Sequence, residues 1–462
     1  MFRFSFDFLC NFDIANEALY MKIFLLSYGC DKNLSDTEHM LGTLSKEGFS
    51  FTQDESEAEV IVINTCCFIN DAKEESVNAI LEMAEYKKAG CCKALVVTGC
   101  LAQRYKEEIK QEIPEVDAIL GTASYDSIAL AIKEALSSKD FYQEMKPLTE
   151  LAKDENGRLI TTGGHYAYLK IAEGCDKHCT YCIIPSIRGR YRSIPMEKLI
   201  EEATMLAERG VKELIIVAQE TTLYGTDIYG KKSLPELLAK LNDIPGIRWI
   251  RLLYCYPEEI DDDLIDAILA NKHVCHYLDL PIQHASDAIL KRMGRRTDKA
   301  RLIEVIDHLR ERIPDICIRT TLITGFPGET EDQHEELMQF VNDMEFDRLG
   351  VFKYSQEEDT PAASFPDQVD EEVKETRYEA LMELQQEVVF DINEDIVGQE
   401  MWVMIEGKVE YEDAYVARTY RDAPDIDGYI FVNADCELMS GDFVRVKVTG
   451  AAEYDLIGEM IE

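Results

Sequence analysis

Cys175, Cys179 and Cys182 stand together in the stretch EGCDKHCTYCIIP. Thiolates are the soft ligands that iron–sulfur clusters select. Three of them at CxxxCxxC spacing can hold three irons of a [4Fe-4S] cluster. The fourth iron then has no protein ligand and is open to bind and activate a small molecule. Positions i, i+4 and i+7 also share one helix face, where cysteine is a good packing residue. Gly174 and Pro185 favour a short loop over a long helix.

A second set is spread more widely. Cys30, Cys66 and Cys100 each follow an apolar run, in the contexts SYGC, INTC and VTGC. Their spacings of 36 and 34 residues are each close to one βα unit. In a parallel sheet the C-terminal strand ends lie along one edge, so cysteines far apart in sequence can meet there. Open α/β sheets also place their ligands at that edge. Read separately, the three are buried thiols with no shared role; the repeated placement favours ligands. Cys67, Cys91 and Cys92 lack it and read as ordinary thiols.

The elements that must position these residues are legible. Residues 21–145 alternate apolar runs (22–27, 60–64, 94–98) with helical segments (34–47, 71–88, 101–112), the pattern of a parallel α/β domain. Asp71 is expected to cap the second helix, with Glu74 at the capping-box position. A polar stretch, 151–165, reads as a linker. Over 166–396, six further βα units predict a partial (β/α) TIM-like barrel. Its strands are expected at 168–172, 213–218, 248–254, 276–280, 317–323 and 348–354, with helices such as 196–209, 262–270 and 330–344 between them. Residues 370–395 are charged with helical periodicity. From 397 to 462 the pattern becomes five short strands with Gly-rich turns, predicting a small antiparallel β-barrel.

Composition narrows the function classes. A chain of 462 residues with 46% hydrophobic content supports several cores. The fourteen cysteines accompany no convincing secretory signal, so metal ligands and core thiols are favoured over disulfides. No apolar run approaches the ~20 residues of a membrane span. Residues 1–20 read as an upstream extension, with Met21 the alternative start. Lys and Arg total 48 against 89 Asp and Glu, a net charge of −41. Such a surface repels phosphate backbones and attracts basic proteins. Residues 397–462 carry fifteen acidic and five basic side chains, a net of −10, whereas a barrel that grips RNA should be positive.

The cysteine triplet resembles the signature of radical S-adenosylmethionine (SAM) enzymes. More widely, the stretches GCDKNLSDTE, NTCCFI, VTGCLAQRY, EGCDKHCTYCIIPSIRGRYRS, DLPIQHASDAILKRMGR, TTLITGFPGET and DRLGVFKYSQEEDTPAA make residues 21–462 similar to the methylthiotransferase family. That family joins a three-cysteine N-terminal domain, a radical SAM barrel and a C-terminal TRAM domain. The segment RTYRDAPDIDG, residues 418–428, most resembles the RimO type, which methylthiolates the β-carbon of an aspartate in ribosomal protein S-twelve. The sibling MiaB type modifies a tRNA adenosine and is the alternative; the acidic charge makes tRNA the poorer partner. A non-catalytic iron–sulfur electron carrier is a further alternative. Two departures from the family pattern are Glu220, where Asp is usual, and Asp359, where Gly is usual.

The resemblance implies two [4Fe-4S] clusters. One sits on Cys175, Cys179 and Cys182 and binds SAM; an auxiliary one sits on Cys30, Cys66 and Cys100. SAM would serve as methyl donor and as source of a 5′-deoxyadenosyl radical. The implied partners are ribosomal protein S-twelve, free or within the small ribosomal subunit, an external electron donor and a sulfur donor, in the cytoplasm. Gln219, Glu220, Gln283 and Arg319 lie near expected C-terminal strand ends and are candidate SAM contacts, with Thr324 and Gly325 approaching the adenosine through backbone. Barrel packing is the other reading of each. Arg188, Arg190 and Arg192 form a basic spot suited to a substrate carboxylate, or a solvated loop. His284 reads as structural.

Overall fold

The computed structural model describes residues 21–138, 140–153, 157–410 and 413–461; the N-terminal extension expected over 1–20 lies outside them. The chain divides into two compact units. The first takes the chain up to Thr161 together with Glu173–Lys177 and Cys182–Ile194. Its core is a six-stranded, wholly parallel sheet in the order β2-β1-β3-β4-β5-β6. The strands are β1 (Lys22–Ser27), β2 (Ser50–Phe51), β3 (Val60–Thr65), β4 (Ala94–Gly99), β5 (Ala118–Leu120) and β6 (Tyr142–Glu144). β3 and β4 are buried along their whole length, which is why their sequences run apolar without alternation. β2, β5 and β6 are only two or three residues long, too short for a periodicity to announce them.

Two local expectations are corrected. The second helix, Asn70–Lys88, starts one residue early, with Ile69 at the cap and no side-chain cap bond. Asp71 lies in its first turn, where the charge meets the positive end of the helix dipole. The helix expected over 101–112 is two, Cys100–Arg104 and Lys106–Glu112, because Tyr105 leaves helical geometry at φ −114° and ψ 32°.

The stretch expected as a linker is anchored where it is described. Leu159 donates its amide hydrogen to the Glu38 carbonyl at 3.0 Å. The Glu38 carboxylate, fully buried, accepts from Arg158 Nε at 2.7 Å, from the Thr161 amide at 2.6 Å and from Thr161 Oγ1 at 2.8 Å. Arg158 is itself 1% exposed. Around Arg158 and Thr161 its polar residues serve buried charge pairing.

The second unit takes Thr162–Ala172, His178–Tyr181 and Pro195–Glu462. Its larger sheet has six parallel strands, β7 (Tyr166–Lys170), β10 (Glu213–Val217), β11 (Trp249–Leu252), β12 (Val274–Asp279), β13 (Cys317–Thr324) and β14 (Arg348–Lys353). Their spatial order follows their chain order, β7-β10-β11-β12-β13-β14, which is the partial barrel the βα repeats predict. Between β7 and β10 the chain forms β8 (Ala172–Glu173) and β9 (Arg192–Ser193) on either side of the cysteine triplet. Helices Met196–Glu208, Asp262–Ala270 and Glu331–Met344 fall where the periodicity put them, the last opened by a Thr330/Gln333 capping box. The charged segment is one helix, Glu371–Ile396, capped by Asp370.

The remaining strands are β15 (Glu400–Lys408), β16 (Ala414–Thr419), β17 (Ile430–Asn433), β18 (Phe443–Ala452) and β19 (Asp455–Met460). They close into a barrel in the order β15-β16-β17-β19-β18. Four contacts are antiparallel and one, β17 with β19, is parallel. A ring of five strands cannot alternate direction all the way round, so one parallel contact is required. The expectation of an antiparallel barrel is corrected at that contact.

Replacing Glu38 with Ala strands Arg158 as a buried, uncompensated cation. The expected loss is about 3–5 kcal/mol, read as a lower urea midpoint for unfolding of the first unit.

Candidate functional site

The first unit places Cys30, Cys66 and Cys100 just past the ends of β1, β3 and β4, three strands that are neighbours in the sheet. Cys30 precedes the helix Asp31–Lys46 and Cys100 opens the helix Cys100–Arg104. Cys66 is fixed through its backbone: its amide donates to Ser76 Oγ at 3.0 Å, and that hydroxyl donates to the Cys66 carbonyl at 2.9 Å. Gly29, at φ +96°, passes so close that a Cβ there would stand 2.9 Å from Cys66 Sγ. The strand ends are tied by amides. Asn33 Nδ2 donates to the carbonyls of Tyr28 and Thr65, at 2.8 and 3.0 Å, and Asn64 Nδ2 donates to the Asn33 carbonyl at 2.9 Å.

Burial pushes the Cys66 thiol up, and the neighbouring Cys100 and Cys30 push it further. Burial also raises Cys100, against the opposing pull of Arg188. Among the described residues, no three of His, Cys, Asp and Glu converge as they would on one metal ion. A cluster spreads its thiolates over separate irons and asks for a wider triangle. Three thiols at one edge, two of them buried and reluctant to ionise alone, fit a group whose irons bond thiolate and so draw the thiols into that form.

Arg188 is the residue the sequence placed wrongly. It is 2% exposed. It donates to Asp36 at 2.8 Å, to Glu173 at 3.1 Å and to Asn33 Oδ1. Burial works against its charge, yet Cys100, Glu173 and Asp36 hold its pKa well above the ordinary value. Arg192 is also buried, donating to the carbonyls of Leu148, Arg190 and Arg188. Arg190 alone is exposed, beside Asp176. The expected basic spot for a substrate carboxylate is therefore absent as a surface. Asn33, Asp36 and Glu173 were missed by the sequence reading. The available signal was the start of the first helix, DKNLSDTEH, which has polar residues where a surface helix would show an apolar stripe.

Cys175 and Cys182 belong to the first unit and Cys179 to the second. Cys175 donates its amide hydrogen to the Gly189 carbonyl at 3.1 Å. Cys179 is buried, 3.8 Å from the Tyr256 hydroxyl, and the Arg295 guanidinium lies 4.3 Å over the Tyr256 ring. Thr180 donates its amide hydrogen to the Met293 carbonyl at 2.9 Å.

Five of the six candidate SAM contacts lie at the C-terminal edge of the larger sheet. Gln219 and Glu220 follow β10; Glu220 is fully buried and accepts from the Thr222 amide at 3.0 Å and from its hydroxyl. Gln283 follows β12 in the left-handed region at φ +73°, bridged to Leu322 of β13. Thr324 ends β13, and Gly325 follows at φ +70°. Arg319 differs. It is the third residue of β13 and pairs with Asp279 at 2.9 Å and Asp427 at 3.3 Å. A strand of eight residues puts it more than a turn of pleat away from the edge, and carboxylates already hold it.

His284 is fully buried. Its Nδ1 accepts the amide hydrogens of Ala285 and Ser286, at 3.0 and 2.9 Å, which places its proton on Nε2, facing Glu329 at 3.9 Å. Glu329 accepts the Phe326 amide at 3.0 Å, so the pair supports both loops at this edge.

Comparison with known proteins follows the same divisions. Residues 22–121 match Uncharacterized protein family UPF0004, 169–341 the Radical SAM superfamily and 397–461 the TRAM domain. A protein of Lachnoclostridium phytofermentans named ribosomal protein uS12 methylthiotransferase RimO is 62% identical over 438 residues, 95% of this chain and 99% of that one. One of the same name from Clostridium botulinum (strain Hall) is 52% identical over 440 residues, 95% of this chain and 98% of that one. The chain belongs to the RimO family. Like its family, it is a radical SAM enzyme that works with SAM and [4Fe-4S] clusters. Among solved structures, the radical SAM methyltransferase TsrM from Kitasatospora setae resembles it with a TM-score of 0.51 at 14% identity, over 82% of this chain and 79% of that one. That likeness is one of fold.

Two outcomes follow for this RimO family member. Arg188→Met removes the cation beside Cys100 and takes a shared partner from the buried carboxylates of Asp36 and Glu173; iron bound per chain should fall by about half, measured after anaerobic reconstitution. Burial, with His334 and Arg377 beside it, pushes His284 down to about 3 from its ordinary 6.5. The unfolded imidazole therefore takes up a proton first. Its stabilising contribution is complete above pH 6.5 and is lost as pH falls toward 3, by up to about 1.4 kcal/mol per unit. His284→Asn should flatten the acid limb of a denaturation series.

Proposed function

We propose that this chain methylthiolates the β-carbon of an aspartate in ribosomal protein uS12, in the cytoplasm. The observation that carries this reading is near-full-length identity of 62% to a protein of that name, in a chain with three cysteines at adjacent strand ends and a CxxxCxxC loop. When bound, the clusters supply the electron that splits SAM and a site at which sulfur is methylated and handed on.

The chain's own residues bind and orient. Cys175, Cys179 and Cys182 would hold the SAM-splitting cluster by three thiolates, leaving one iron for SAM. Tyr256 and Arg295 pack beside Cys179. The edge bearing Gln219, Glu220, Gln283, Thr324 and Gly325 would orient SAM and keep water from the reactive centre. Arg319 is less suited to SAM contact, for the reasons given by its strand position. Cys30, Cys66 and Cys100 would hold the auxiliary cluster, with Arg188 balancing thiolate charge. An external electron donor and a sulfur donor are required by the reaction.

Charge supports a basic protein as acceptor, free or in the small subunit. Of the five basic residues in the C-terminal barrel, Arg418 and Arg421 are buried, leaving Lys408, Arg445 and Lys447 outside. An acidic exterior attracts a lysine- and arginine-rich protein and repels tRNA.

The test is an anaerobic assay with reduced, reconstituted enzyme, SAM and sulfide, offering small-subunit proteins and bulk tRNA separately. The expected result is a gain of one sulfur and one methylene on a uS12 aspartate by mass spectrometry. The same gain on a tRNA adenosine would overturn the acceptor assignment. Cys66→Ala should retain uncoupled SAM cleavage and lose transfer.

A further inference from the structure

The segment 418–427 runs from the end of β16 toward β17 in the C-terminal barrel, yet it also bonds to the larger sheet of the same unit. It reaches all six strands. Tyr166 of β7 donates to Asp425 at 3.1 Å. Arg418 donates to Glu213 of β10 at 2.7 Å, and Arg251 of β11 donates to the Tyr420 carbonyl at 2.6 Å. Tyr277 of β12 donates to Asp427 at 2.7 Å. In β13, Cys317 Sγ donates to the Arg421 carbonyl at 3.3 Å and Arg319 Nε to Asp427 at 3.3 Å. Arg348, the first residue of β14, donates to Asp422 at 3.0 Å.

Apart from Arg251, third of four in β11, these partners sit in the first part or middle of their strands, away from the edge that carries the candidate SAM contacts. Arg418, Arg251 and Glu213 are fully buried, and Asp422 is 1% exposed. These charged groups are withdrawn from a docked protein, while Asp425 and Ile426 of the same segment stay exposed. The charges alternate, Glu213 between Arg251 and Arg418, and Arg319 between Asp279 and Asp427, so that each is compensated.

The contacts continue toward the opposite edge. Arg319 Nη1 donates to Asp279 Oδ1 at 2.9 Å, and Asp279 Oδ2 accepts the Tyr254 amide at 2.9 Å. Tyr254 is held in the left-handed region at φ +60°, a conformation that persists only when its surroundings enforce it. Its carbonyl accepts the Thr221 amide at 3.0 Å, next to Gln219 and Glu220.

We propose that residues 418–427 form the floor of the catalytic sheet, and that Asp427 is a positioning residue for SAM, acting through Arg319, Asp279 and the Tyr254 turn. The proposal uses the radical SAM assignment and is independent of which acceptor is modified. The C-terminal barrel is then a structural part of the catalytic unit as well as a surface for the acceptor.

The test uses the full, reconstituted chain carrying Asp427→Asn, with SAM affinity measured by equilibrium dialysis in the absence of any acceptor. The expected result is a SAM dissociation constant raised about five-fold or more, with the acceptor KM unchanged. SAM affinity equal to that of the parent, with a raised acceptor KM, would overturn the proposal and make the segment an acceptor reader. If Asp427→Asn fails to fold, Arg319→Lys keeps the charge but loses the two-carboxylate fork. Unchanged SAM affinity in that variant would overturn the proposal equally.

Discussion

The common direction of β1, β3 and β4 is the constraint on which the proposed auxiliary site depends. Parallel neighbours end on the same side, so one cysteine after each strand arrives at one edge without any sequence proximity. The larger sheet repeats the device. Its strands follow chain order, and the turns after β10, β12 and β13 bring Gln219, Gln283 and Thr324 to a single rim. Chemistry is placed by where strands stop, and the loops then need only local bonds to hold it.

Buried charge is the second organising force. Arg158 with Glu38, Arg188 with Asp36 and Glu173, and Arg418 with Glu213 are all removed from water. Each cation is fixed by carboxylates, because an uncompensated charge in such places is strongly destabilising. These pairs contribute less to net stability than apolar packing would, but they admit few geometries. That suits the proposed role of loops that present cluster ligands at fixed separations.

Much of this was legible in the sequence. Continuous apolar runs marked β1, β3 and β4 because both faces of a parallel sheet are covered, and the three cysteine contexts followed from them. The run of βα units located the larger sheet. What could not be read was the burial of polar residues. Arg188 looked like a surface cation because its carboxylate partners lie 152 and 15 residues away in sequence. The segment 418–427 carried a family resemblance but no sign of its burial partners, which are spread over six strands. Arg319 stands third in the strand expected over 317–323 as it does in β13, so its distance from the edge was readable; its carboxylate partners, 40 and 108 residues away, were not. The parallel contact in the small barrel is a consequence of closure, which no single strand's pattern encodes.

The central claim is that the two cysteine triplets hold separate clusters of which one binds SAM. The direct measurement is low-temperature electron paramagnetic resonance of reduced chains in which one triplet at a time is replaced by alanine. With Cys30, Cys66 and Cys100 replaced, a [4Fe-4S] signal should persist and change on adding SAM. With Cys175, Cys179 and Cys182 replaced, a signal should persist and ignore SAM. A SAM-responsive signal in the second chain, or none in either, would contradict the account.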